Sequence, residues 1–124
     1  MNNTDSQSST PVNPCLQWHL ETPAFFLECV PLNGRVYGFP YSHLLNYRLE
    51  PNPDIEHAPD APPERLGLWF STHQVVILGW HLQSIRACIR HAQGFTVKAL
   101  DSRYANLQPK ECFVSDIAVL TAGE

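Results

Sequence analysis

The sequence predicts an α+β fold: a bent antiparallel sheet or small open β-barrel of six to seven strands, with one helix at about 81–93 packed on it. Three observations predict it. Short β-rich runs recur along the chain between turn signals, and only HLQSIRACIRHAQG, residues 81–94, has helical periodicity. The composition, 44% hydrophobic and 16% charged over 124 residues, is that of one domain large enough to bury a core. An SH3-like or Sm-like small barrel is the alternative architecture, although the helix-first order usual in such barrels is absent.

Residues 1–14, MNNTDSQSSTPVNP, are polar and broken by Pro11 and Pro14, the composition of a disordered arm ahead of a globular unit at 15–124. The first organised unit is FFLECVPLNGRVYGFPY. Asn33-Gly34 stands there between two β-rich runs and predicts a type I′ hairpin turn, with Pro31 at a sheet edge or beside the turn. LLNYRLE alternates, which predicts a half-buried strand with Leu45, Tyr47 and Leu49 on one side and Asn46, Arg48 and Glu50 on the other. Residues 51–63, PNPDIEHAPDAPP, carry five prolines and predict an extended surface loop. Its Pro59-x-x-Pro62 spacing resembles an SH3 ligand, but the surrounding acids have the wrong sign for most such grooves.

RLGLWFSTHQVVILGW predicts two strands joined by a turn at Ser71–Gln74, with Leu66, Leu68 and Phe70 inward. Val75–Leu78 is apolar on both faces, so a central strand covered on each side is expected. Within 81–93, Leu82, Ile85, Ile89 and Ala92 fall inside an arc of about 80° on a helical wheel, opposite Gln83, Arg86, Arg90 and Gln93. Gly94 is the expected C-terminal cap. FTVKAL and CFVSDIAVL supply the last two strands, joined by the polar loop DSRYANLQPKE.

Charge and cysteine usage narrow the function classes. Residues 1–64 carry two Lys/Arg against eight Asp/Glu, a net −6, and residues 65–124 carry six against four, a net +2. That is weaker than the basic surface that captures phosphate backbones. Cys15, Cys29, Cys88 and Cys112 lie far apart without a C-x-x-C pair, so buried free thiols are expected and no metal or other cofactor. His81 and Cys88 sit about 10 Å apart along a helix and cannot share a zinc ion, while Cys88 and His91 would need two more ligands, with Cys112 and His73 the only tempting ones. Cys88 lies well inside the helix, where the helix dipole does not activate a thiolate. The acids Asp54, Glu56, Asp60 and Glu64 of the proline loop are too exposed to be strongly tuned. No apolar run approaches a membrane span and the N-terminus lacks a basic start or an apolar segment, so no membrane association and a cytoplasmic location are expected.

The function expected by elimination is a non-enzymatic binding or assembly module acting as a homo-oligomer. Three Trp, four Tyr and six Phe exceed what one helix can cover, and an open sheet leaves edges to hide. Candidate ligand or partner contacts are Arg86 and Arg90 on the polar helix face, with Trp69 and Trp80. One alternative is a single-stranded nucleic-acid-binding small barrel, in which Trp69, Phe70, Trp80 and Tyr104 would stack bases beside Arg86, Arg90, Lys98 and Arg103. The other is a small enzyme using a Cys/His or carboxylate site.

Overall fold

The computed structural model describes residues 13–19, 26–101 and 110–121. Among them eight strands form two four-stranded sheets. They are β1 (Leu16–Trp18), β2 (Phe26–Val30), β3 (Tyr37–Pro40), β4 (Leu44–Pro51), β5 (Glu64–Phe70), β6 (His73–Trp80), β7 (Phe95–Lys98) and β8 (Phe113–Thr121), with one helix, α1 (Gln83–Arg90), between β6 and β7. The first sheet runs β1-β7-β2-β3 and the second β4-β5-β6-β8. The fold is therefore α+β and sheet-rich, but the strands do not close into a barrel.

The eighth strand is β1, three residues too short for an alternating pattern to be visible in the sequence. Nor is the first sheet purely antiparallel. β2 and β7 pair in parallel through Glu28↔Thr96, Cys29↔Val97 and Val30↔Lys98, a pairing separated by most of the domain and invisible to local reading.

One core fills the space between the sheets. Leu27, Cys29, Phe39, Phe95 and Val97 come from the first sheet, and Leu66, Leu68, Phe70, Val75 and Ile77 from the second. Phe39 and Phe70 stack across the junction with ring centroids 4.4 Å apart. The helix adds Ile85, Cys88 and Ile89 from its buried stripe, with Leu82 just before it. Its ends are tied down: the Leu82 N–H donates to Glu64 Oε1 at 2.7 Å, and the Tyr41 hydroxyl donates to the Gln93 carbonyl at 2.6 Å.

Several local expectations are corrected. In the first hairpin Gly34 alone has positive φ, +85°, and its N–H donates to the Pro31 carbonyl. The turn therefore spans Pro31–Gly34 with Leu32 and Asn33 at its centre, not a type I′ turn on Asn33-Gly34. Asn33 instead accepts from the Arg35 N–H through Oδ1. In β4 the register shifts between Leu44 and Asn46, leaving Leu45 bulged and 67% exposed, while Leu44, Tyr47 and Leu49 pack on the core.

The proline loop is a surface loop but not extended throughout. Pro53–Glu56 make a 3₁₀ turn pinned by buried Asn52, whose side chain accepts from the Asp54 N–H and donates to the Pro62 carbonyl. The β5–β6 turn is tighter than expected, since His73 and Gln74 already belong to β6.

The helix ends at Arg90, not at Gln93. Its terminating residue is Ala92, at φ +51°, with the Ala92 N–H donating to the Ile89 carbonyl and the Gln93 N–H to the Cys88 carbonyl. That is a Schellman closure two positions ahead of Gly94, the cap the sequence suggests, and it turns Ala92 out to solvent instead of into the core stripe. Gly94 spends its carbonyl on the His19 N–H instead.

Candidate functional site

Two surfaces gather chemistry. The first is an open groove of about 1030 Å³ between β1, the start of β5, the helix N-terminus and residues 110–112. Trp18, 57% exposed, forms an apolar wall, and Glu64, His81, Lys98, Lys110 and Cys112 bring charge and polarity. Sequence spacing does not find this set, because its members come from five separate segments. Pairing of β1 with β7 and packing of the helix start against β5 bring them together. His81 sets the corner: its φ of 55° turns the chain out of β6 and into the helix.

Neither thiol of the groove is activated. Burial pushes the Cys112 thiol up to about 12, helped by the negative charge that Cys15, Cys88 and Glu64 would place near its thiolate. Burial also raises Cys15, against the opposing influence of a Val114 backbone hydrogen bond and of Lys98. Both thiols are protonated, and hence poor nucleophiles, near neutral pH. Glu64 is committed to the Leu82 N–H. At the groove rim, Thr96 donates its hydroxyl to Glu28 Oε1 at 3.0 Å and lies 2.7 Å from His19 Nε2, so the imidazole N–H donates to the threonine oxygen. This chain of side chains ties β1, β7 and β2 together. No cluster of three or more His, Cys, Asp or Glu suited to a metal ion occurs among the described residues. Nor is any helix among them long and apolar enough to cross a membrane.

The second surface is the outer face of the second sheet. Alternation places Arg48, Gly67, Val76 and Ala118 in one row and Asn46, Trp69, Gln74 and Leu120 in the next. Trp69 lies flat over Gly67, where even a β-carbon would stand 2.8 Å from the ring edge, and the Arg48 guanidinium sits 5.4 Å above the indole. Val76 and Leu78 are half-buried and outside the core cluster, and Leu120 is 50% exposed. So β6 is central, as expected, but covered by the core on one face only.

The four residues singled out in the sequence are not brought together. Trp69 lies opposite Gln74, six residues and roughly 20 Å along β6 from Trp80. Trp80 leans edge-on against Phe113 with centroids 5.8 Å apart and packs on the core. Arg86 is half-buried and Arg90 exposed on the helix, and neither forms an ion pair with a described residue. The two tryptophans thus do not make one stacking platform. Compared with protein-family models, with curated proteins and with solved structures, the chain matches none.

Proposed function

We propose that the chain is a non-enzymatic binding or assembly module that works as a homo-oligomer, with the second sheet as its contact element. One observation carries this reading. The second sheet buries one face in the core, while its other face carries Trp69, Val76, Leu78 and Leu120 outside the core cluster, interleaved with Arg48, Glu50, Arg65 and Asp116. Apolar side chains set among charged ones on a sheet face outside the core are what a polar-rimmed interaction surface offers. The charge distribution is compatible with a second copy, since the acidic and basic halves of one chain complement those of another. A twofold pair is the commonest closed arrangement.

The groove supports binding in preference to covalent chemistry, because its thiols are held protonated and its best-placed carboxylate is committed to the helix. Light scattering on the eluting protein tests self-association. The expected mass is twice the 14.0 kDa of one chain, and a monomer throughout the micromolar range overturns the reading.

A further inference from the structure

We infer that the contact is strand addition: β8 of one copy pairs antiparallel with β8 of a second copy across a twofold axis at Val119. This rests on the self-association proposed above and places the contact at one edge of the second sheet, which joins the outer faces of the two copies into one surface.

The two edges of the second sheet are built differently. β4 carries a bulge at Leu45, the charged residues Arg48 and Glu50, and Pro51 at its end. Bulges, charges and proline are the devices by which an edge strand is kept from pairing with another chain. β8 has its bulge at the other end, where the register with β6 shifts opposite Leu78 and Gly79. There the edge is already sealed: the Leu100 N–H donates to the Val114 carbonyl, and the Val114 N–H donates to the Cys15 sulfur at 3.3 Å. From Ile117 to Thr121 the run IAVLT has no charge, no proline and no bulge, and no described residue bonds its outer edge.

Burial along the sheet points the same way. Val76 and Leu120 share the outer face, but Val76 on the central strand is half-buried between neighbours on both sides, whereas Leu120 has a neighbour on one side and stays 50% exposed. A second β8 supplies the missing flank.

The run is also self-complementary. An axis at Val119 sets Val119 opposite its own copy, Ala118 opposite Leu120 of the second copy, and Ile117 opposite Thr121. Small then meets large on the outer face, and β-branched residues meet on the inner face, the pairings that stabilise antiparallel ladders. Asp116 falls outside this five-residue ladder, so no like charges are opposed. The product is a continuous eight-stranded sheet held by main-chain hydrogen bonds, the mode by which an extended segment adds to an exposed sheet edge. An interface this small belongs to the weak class, so a dissociation constant in the micromolar range is expected.

Sedimentation velocity of the full chain from about 1 to about 200 µM tests the pairing, together with three variants. Ala118→Lys with Leu120→Lys sets lysine against lysine, and is expected to weaken the dimer about tenfold or more. Ala118→Lys with Leu120→Glu sets lysine against glutamate, and is expected to recover most of that loss. Val119→Cys, oxidised with glutathione disulfide, is expected to give a 119–119 cross-linked dimer identifiable by peptide mass. If the wild-type chain is a monomer at every concentration, both the self-association and the strand pairing are overturned. If a dimer survives the double lysine variant and no 119–119 cross-link forms, only the strand pairing is overturned. Should the charged variants fail to fold, or disagree with the cross-link, the cross-link decides.

Discussion

A β-carbon on Gly79 would overlap the carbonyl oxygen of Phe113 on the neighbouring strand, with Leu82 Cδ2 closing the other side at 3.1 Å. Both obstacles belong to the core end of β6, where the register with β8 shifts and Ser115 reaches the Leu78 carbonyl. Backbone cannot swing aside as a side chain can, so Gly79→Ala is expected to cost about 3 kcal/mol or more. Gly67→Ala is the internal control. Its β-carbon meets only the far edge of the half-buried Trp69 ring, which can tilt outward, and a loss of about 1 kcal/mol is expected. Urea unfolding of the two variants measures the difference, and equal losses would contradict the close approach at Phe113.

Ala92 occupies the left-handed position that glycine normally takes in a Schellman closure. An alanine there pays a steric cost of roughly 1–2 kcal/mol, and glycine returns part of that gain as extra freedom in the unfolded chain. Because Ala92 is exposed, no packing is lost on removing its methyl group. Ala92→Gly is therefore expected to stabilise the domain by about 0.5–1 kcal/mol, seen as a rise in the thermal midpoint.

Glu64 holds the helix N-terminus to β5. Its carboxylate accepts from the Leu82 N–H, and no acidic residue lies in the first turn to serve the same end. Glu64→Gln keeps an accepting oxygen but loses the charge, at about 0.5–1 kcal/mol, whereas Glu64→Ala leaves the N–H without its partner and should cost about 1–2 kcal/mol. Denaturant midpoints in the order wild type, Gln, Ala check this assignment.

Those three sites show what the sequence can and cannot convey. Leu66, Leu68 and Phe70 are legible as a core row because strand alternation is a local property, and the helix stripe Ile85, Cys88 and Ile89 because helical periodicity is local too. Ala92 as terminator was missed because the sequence offers a glycine two residues later, whereas the left-handed conformation falls on Ala92 and the Gly94 carbonyl accepts from the His19 N–H. Leu45 was misplaced because a bulge shifts the alternation by one residue, which flips every side chain before it. The groove was illegible for a different reason. Its walls depend on the pairing of the three-residue β1 with β7 and on the helix start meeting Glu64, and neither leaves a periodic trace in the sequence.

All four cysteines are free and buried, and their shared environment makes a prediction about alkali. Burial raises the Cys29 thiol to about 12, with Glu28 adding to it, the Cys88 thiol to about 11, and the Cys112 thiol to about 12. Tyr41 moves upward as well, first through burial and then through the neighbouring Cys88. In the unfolded chain each thiol ionises near its ordinary value of 9.0, whereas the folded chain keeps the proton. Between those limits the folded state binds more protons than the unfolded state, so stability falls as pH rises. The contribution is whole below pH 9 and is lost progressively from there to about pH 12. Urea midpoints measured at stepped pH are expected to fall steeply above pH 9, and Cys88→Ser should leave that slope shallower while lowering stability at neutral pH by placing a hydroxyl in an apolar site. A chromogenic disulfide added at pH 8 gives the matching kinetic reading. The native chain should react orders of magnitude more slowly than free cysteine, and release four equivalents once unfolded. A thiol in the native chain that reacts at the free rate would show that one of the four, most plainly Cys112 beside the groove, is open to chemistry after all.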